Sequence, residues 1–109
     1  MVRAIEDEDL MARLLDHGAV PEICVSSNLF LKLYQRAEEH PLKEFFARGF
    51  AVTLATDDPA FFNCSIGGEY CLAHEKCGLS IENLQTIYQN TIKAAFCDDG
   101  LKGKLLKAI

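Results

Sequence analysis

Two adjacent carboxylates, Asp57 and Asp58, are the residues whose position in the chain best suits chemistry. They come directly after residues 50–55, an almost continuous run of apolar and β-branched side chains. Such a run is typical of a strand covered on both faces, as the strands of parallel sheets are. Ligands of parallel α/β folds and barrels bind at the carboxyl ends of the strands. A carboxylate there can bind zinc or orient a metal-bound water, and its neighbour can accept a hydrogen bond from a substrate.

Asp58 has a second interpretation, because Pro59 follows it. Aspartate is a common N-cap residue, and proline is common at the first position of a helix. Asp58 would then cap a helix that begins at Pro59. Spacing alone favours this cap and leaves the site interpretation of both aspartates open.

The surrounding sequence predicts the elements that would position these carboxylates. Apolar residues recur at helical spacing in four stretches, which lie at residues 10–15, 41–48, 69–76 and 81–95. Glycines are the predicted ends of the first three helices, at Gly18, Gly49 and Gly78, and Ser80 is the predicted N-cap of the fourth. A terminal helix is predicted after Asp99, with its apolar face at Leu101, Leu105 and Leu106 and with Ile109 nearby.

A brief buried strand is predicted at residues 23–25, behind Pro21 and before the turn formers at residues 26–28. Residues 29–39 show no clear periodicity, so loop and short helix both remain open. The order is helix, strand, helix, strand and then helices, which predicts an α/β fold with parallel strands. Two parallel strands leave their edges unpaired, so we expect the chain to be part of a larger α/β structure.

The composition excludes several classes of function. The chain of 109 residues has 11 Lys and Arg against 16 Asp and Glu, a formal net charge of -5, so we expect no nucleic-acid partner. No apolar run approaches the roughly 20 residues that span a bilayer. Residues 1–9 are charged where a signal peptide is apolar. Five cysteines form no CxxC pair, and their odd number indicates reduced thiols, so we expect a soluble, cytoplasmic protein without membrane contact.

Several motifs of the sequence resemble those of the adenosine and adenine deaminase family. Thr-Asp-Asp-Pro at residues 56–59 is similar to the family's SDDP-type motif, and Ala60 and Phe61 follow it. Residues 22–29 resemble the family's penultimate strand and its Cys-Pro-x-Ser-Asn turn. The resemblance covers essentially the whole chain in order, with further matches at His-Pro-Leu (40–42), Asn90 and Ala-Ala-Phe (94–96).

The resemblance implies a fold and an activity. Members of this family are (β/α)8 barrels that bind one zinc ion and hydrolyse the 6-amino group of a purine to release ammonia. Residues 1–109 would be the C-terminal portion of such a barrel, with two parallel strands, flanking helices and closing C-terminal helices. Asp57 would be a catalytic zinc ligand that also holds the attacking water. Asp58 would hydrogen-bond the ring of the substrate, a purine nucleoside or base.

The sequence also departs from the family pattern. The His-x-His pair and the His-x-Gly-Glu segment of the family are absent, and Val25 stands where proline is usual. One metal ligand of four remains, whereas zinc sites have at least three protein ligands. We therefore expect the chain alone neither to retain zinc nor to release ammonia. His17, His40 and His74 follow no predicted strand and are not expected to bind zinc.

Three hypotheses about function remain open. In the first, the chain is a segment of a purine deaminase and is inactive alone. In the second, it is one subunit of a split deaminase that a chain with the N-terminal barrel portion completes. In the third, it is a non-catalytic α/β module that buries its strand edges in a homo-oligomer.

Overall fold

The computed structural model describes residues 1–108, and Ile109, which we placed near the terminal helix, lies outside the described residues. Two 3-10 helices lie at Val2–Glu6 and Ala37–Glu39. The α-helices and strands follow the order α1 (Glu8–Asp16), β1 (Glu22–Ile23), α2 (Val25–Phe30), α3 (Leu42–Ala47), β2 (Thr53–Leu54), α4 (Pro59–Phe62), α5 (Ile66–Glu75), α6 (Ile81–Ala94) and α7 (Asp99–Lys107). None of the helices described is both long enough and apolar enough to cross a membrane.

The two strands form a parallel pair, which confirms the predicted α/β fold. Ile23 of β1 is opposite Leu54 of β2. The backbone hydrogen bonds at the ends of the pair include those from the N–H of Thr53 to the carbonyl of Pro21 and from the N–H of Ala55 to the carbonyl of Ile23, both at 2.9 Å. Because the strands are parallel and in register, their carboxyl ends lie side by side.

Both strands are shorter than predicted. Val25 is the first residue of α2, so that residues 26–28 are helical and do not form the predicted turn. Residues 50–52 precede β2, where the N–H of Val52 binds the carbonyl of Phe50 at 2.9 Å instead of a neighbouring strand. An apolar run indicates that a segment is buried, whereas a strand also requires a hydrogen-bond partner in another segment for its backbone groups. Residues 29–39 contain the end of α2, an irregular turn and the second 3-10 helix.

The predicted helix boundaries are largely confirmed. At the start of α6, Ser80 Oγ accepts a hydrogen bond from the N–H of Asn83 at 3.1 Å, and the Asn83 side chain accepts one from the N–H of Ser80 at 3.0 Å. This reciprocal pair is a capping box, which satisfies two N–H groups that have no partner inside the helix. Gly49 follows α3 with a φ of 91°, a conformation that residues with a side chain rarely adopt.

The core lies between the strand pair and the helices that cover it. Its fully buried side chains come from β1, α2, α3, the segment before β2, α5 and α6, and include Ile23, Val25, Phe45, Val52 and Ile87. Helices α5 and α6 both pack against β2. Asn90 on α6 donates a hydrogen bond to the carbonyl of Val52 at 3.2 Å, which fixes the helix to the segment that enters β2.

His40 is a buried hydrogen-bonding residue at the start of the α3 segment, with 4% of its surface exposed. Its Nδ1 accepts a hydrogen bond from the N–H of Leu42 at 3.1 Å. Its Nε2 therefore carries the proton and donates to Asn28 Oδ1 at 2.9 Å. Burial lowers the pKa of His40 from the ordinary 6.5 to about 4, so the ring is neutral in the folded protein at neutral pH.

The low pKa of His40 predicts a loss of stability in mild acid. In the unfolded chain the ring takes up a proton near pH 6.5, whereas in the folded chain it does so only near pH 4. Between these values the unfolded state binds more protons, so the free energy of unfolding falls as the pH falls, by up to about 1.4 kcal/mol per pH unit. Urea denaturation at pH 7, 6 and 5 measures this slope.

The matched control is the exposed His17. We expect His40→Gln to reduce the slope between pH 7 and 5, and His17→Gln to leave it unchanged. An equal slope in wild type and His40→Gln would contradict the assignment of the acid sensitivity to His40.

Candidate active site

The adjacent carboxylates lie at the carboxyl end of β2. Asp57 follows the strand by three residues, and helix α4 begins at Pro59. Asp58 Oδ1 accepts a hydrogen bond from the N–H of Phe61 at 3.1 Å, so Asp58 is the N-cap of α4. The cap uses one of the two carboxylate oxygens, and Asp58 is exposed, so the cap does not prevent a contact through the other oxygen.

Asp57 is joined to the segment that follows the neighbouring strand. Ser27 Oγ donates a hydrogen bond to Asp57 Oδ2 at 2.9 Å. Ser27 lies in the first turn of α2 and is 2% exposed, whereas Asp57 is exposed. The bond therefore connects the two chain segments that leave the sheet at the same edge. Asp57 stands at the strand ends, where ligands of parallel α/β folds bind, and not on an outer flank.

The backbone of Asp57 is in the left-handed region, with a φ of 62°. This conformation is uncommon for residues other than glycine, and aspartate is one of the few that tolerate it. This conformation turns the chain sharply between β2 and α4. In the same loop, the carbonyl of Thr56 contacts the thiol of Cys64, which follows α4, at 3.5 Å. Sparsely populated backbone conformations are common at functional sites, which makes Asp57 a candidate on a second ground.

Cys24 lies next to the carboxylates, at the N-cap position of α2. Burial raises the pKa of its thiol to about 11, and the negative charges of Asp57 and Glu22 add to the effect. At neutral pH the thiol is protonated, and only the thiolate is a good nucleophile. Cys24 is therefore a structural neighbour of the site rather than a nucleophile in it.

Glu69 is a residue of this region that the sequence analysis missed. It lies on α5 and is fully buried. Its Oε2 accepts a hydrogen bond from the N–H of Ser26 at 3.2 Å, and its Oε1 has no hydrogen-bond partner in the part of the chain that the structure describes. Ser27 was also missed, because we assigned it to a turn. A signal for Glu69 was its spacing of four residues from Ala73, which places both on the buried face of the helix.

The histidines are engaged elsewhere or lie at a helix end. Both ring nitrogens of His40 are hydrogen-bonded. His74 Nδ1 donates to the carbonyl of Leu79 at 2.7 Å, and exposed His17 is the C-cap residue of α1. Within residues 1–108, no three His, Cys, Asp or Glu side chains lie close enough together to hold a metal ion. The chain thus offers zinc one candidate ligand, Asp57, where at least three are needed.

Comparisons with known proteins agree on one family. The adenosine deaminase family model matches residues 1–109. An adenine deaminase from Rhizobium meliloti (strain 1021) is 42% identical over 108 residues, which are 99% of this chain and 33% of the relative. An adenine deaminase from Chelativorans sp. (strain BNC1) is 41% identical over 104 residues, 95% of this chain and 32% of the relative. The chain spans about a third of the length of the curated relatives it matches.

Solved structures show the same fold. An adenine deaminase from Arthrobacter aurescens matches with a TM-score of 0.92 at 29% identity, over 97% of this chain and 32% of that chain. An N6-methyl-AMP deaminase from Arabidopsis thaliana matches with a TM-score of 0.84 at 26% identity, over 94% of this chain and 30% of that chain. An amidohydrolase from Burkholderia ambifaria, crystallised with bound zinc, matches with a TM-score of 0.83 at 25% identity, over 98% of this chain and 30% of that chain.

The parallel strand pair and the helices around it match part of the α/β-barrel fold of solved deaminase structures. More specifically, the chain belongs to the adenosine deaminase family. The resemblance inferred from the Thr-Asp-Asp-Pro motif is thereby confirmed, and so is the assignment to the C-terminal third.

The cap at Asp58 predicts different effects for two substitutions. Asp58→Ala removes the acceptor for the N–H of Phe61 and should lower the free energy of unfolding by about 1 kcal/mol. Asp58→Asn keeps a good capping side chain and should be nearly neutral, because asparagine and aspartate are similar N-caps. Urea denaturation of the three proteins measures the difference. An equal loss of stability in both variants would show that the carboxylate charge, not the cap, matters for folding.

Proposed function

We propose that the chain is the C-terminal segment of a purine deaminase that hydrolyses the 6-amino group, with adenine as the first substrate to test. The observation that carries the proposal is the position of Asp57, at a strand end of a deaminase fold and hydrogen-bonded to Ser27 of the adjacent segment. The adenine deaminase relatives, at 41 to 42% identity, support the choice of adenine.

Asp57 is the residue that would bind zinc in the complete enzyme. Its Oδ2 is fixed by Ser27, which orients the carboxylate and limits its rotation. When bound, zinc lowers the pKa of a coordinated water toward about 7 and so supplies hydroxide at neutral pH. Within residues 1–108 no group of side chains could form a zinc site alone, so the other ligands would come from the two thirds of the relatives' length that the chain does not cover.

Asp58 is the residue that would orient the purine. Its cap bond to the N–H of Phe61 holds the side chain at the start of α4, beside Asp57. The second carboxylate oxygen can accept a hydrogen bond from an N–H group of a purine ring. A site that hydrogen-bonds an N–H group of its substrate discriminates against analogues that lack this donor. Asp58 would thus contribute to substrate specificity, and Asp57 would contribute to the hydrolysis by binding zinc.

The surface of the chain supports the proposal that other barrel segments complete this fold. The two strands pair only with each other within residues 1–108, and each leaves one edge without a strand. Large apolar side chains are exposed, among them Phe61 at 65% exposure and Phe96, which is fully exposed. Unpaired strand edges and exposed apolar groups associate with other chains. The same observation supports the second candidate, self-association, and a size measurement in solution separates a monomer from a homo-oligomer.

The proposed function predicts that activity depends on the missing part and on Asp57. We expect the chain alone to release no ammonia from adenine, with or without zinc. Joined to the N-terminal two thirds of the Rhizobium meliloti adenine deaminase, it should bind zinc and release ammonia. Asp57→Ala should then reduce kcat/KM by at least about 100-fold, since even residues that only support zinc ligands contribute 10- to 100-fold.

The control for this experiment is Asp98→Asn. Asp98 is another exposed helix-capping aspartate, at the start of α7, and asparagine preserves the cap. The joined enzyme with this change should keep full activity. Ammonia release by the chain alone, or an active joined enzyme that carries Asp57→Ala, would overturn the proposal.

A further inference from the structure

Helix α2 begins without a capping side chain of its own. Its N-cap residue is Cys24, which makes no side-chain hydrogen bond to the helix. The first N–H groups of a helix have no partner inside it and need an acceptor from elsewhere. For Ser26 that acceptor is Glu69, which lies 43 residues later in the chain. Glu69 therefore caps α2 from helix α5.

Burying the carboxylate of Glu69 is unfavourable for the free energy of folding, which is unexpected for a residue with only a structural role. A carboxylate removed from water is strongly unfavourable unless it is paired or hydrogen-bonded. Glu69 is 0% exposed, and one of its oxygens has no partner among residues 1–108. The partial positive charge at the start of α2 offsets part of this cost. A serine at position 24 would cap the helix locally without burying a charge.

The turn that Glu69 fixes is the one that holds Asp57. Ser26 and Ser27 are adjacent in the first turn of α2. The N–H of Ser26 donates to Glu69, and the hydroxyl of Ser27 donates to Asp57 at 2.9 Å. Ser27 is 2% exposed and Ser26 is partly buried, so the surrounding protein covers much of this turn. Glu69 on α5 therefore fixes the first turn of α2, and that turn fixes the carboxylate of Asp57 after β2.

We propose that Glu69 is a positioning residue for Asp57, which acts through the first turn of α2. The proposal rests on the function proposed above for Asp57. The proposal also makes a structural claim that is independent of that function. This claim is that Glu69 fixes residues 25–28 and, through them, residues 56–58. Glu69 itself touches neither metal nor substrate.

The test compares two substitutions of Glu69 in the joined enzyme described above. Glu69→Gln keeps the length and an oxygen acceptor for the N–H of Ser26. Glu69→Met keeps an unbranched side chain of similar length and removes the acceptor. Zinc affinity, from competition with a chelator, and kcat and KM for adenine are measured for each. We expect Glu69→Met to weaken zinc binding and lower kcat by about 10- to 100-fold, with a smaller change in KM, and Glu69→Gln to stay within about 3-fold of the parent.

Ala73→Gly is the matched control for a loss of stability. Ala73 shares the buried face of α5 with Glu69, and glycine inside a helix costs about 0.5 to 1 kcal/mol without touching Ser26. We expect this variant to keep the zinc affinity of the parent. Equal effects of Ala73→Gly and Glu69→Met, or no effect of Glu69→Met on zinc affinity, would overturn the positioning role.

Amide hydrogen exchange of the 109-residue chain separates this inference from the proposed function, because it requires neither zinc nor turnover. Glu69→Met should speed exchange at residues 25–28 and 56–58, and Glu69→Gln should not. Unchanged exchange at both segments would refute the positioning role even in an active enzyme. A joined enzyme in which Asp57→Ala has no effect would instead refute the proposed function. The exchange result would still show whether Glu69 fixes residues 25–28 and 56–58.

Discussion

The pairing of β1 with β2 is the constraint on which the candidate site depends. Backbone hydrogen bonds such as those from Thr53 to Pro21 and from Ala55 to Ile23 fix the register of the pair. A slip of one residue would move one strand by about 3.3 Å and turn its side chains to the opposite face. Ser27 reaches Asp57 only because both segments leave the sheet side by side. The geometry of the carboxylate is thus a consequence of strand register.

The motifs that carry the family resemblance correspond to hydrogen bonds between distant segments. Asn28, in the turn motif, binds His40, in the His-Pro-Leu motif. Asn90, on the long closing helix, binds the carbonyl of Val52 beside β2. In each pair, a polar group in the interior gains a partner that water would otherwise supply. These residues hold the segments around the strand ends in place.

The sequence predicted the helices and their boundaries better than the strands and the site. Helical periodicity and capping residues are local signals, so the helix after Ser80 and the helix ends at Gly18 and Gly49 were predicted correctly. Strand length depends on which backbone groups find a partner in another segment, which no local pattern reports. Glu69 was missed for a related reason: α5 is apolar on most sides, so periodicity did not show that its one early carboxylate points inward.

The two interpretations of Asp58, as the N-cap of α4 and as a candidate substrate-binding residue, are compatible. A carboxylate that caps its own helix is held by one oxygen and keeps the other for a ligand. Asp57 is held in the same way by Ser27. Functional side chains need such supports to stay near a productive geometry. The groups that orient both carboxylates lie on this chain, so the orientation of these side chains does not require contacts with the rest of a barrel.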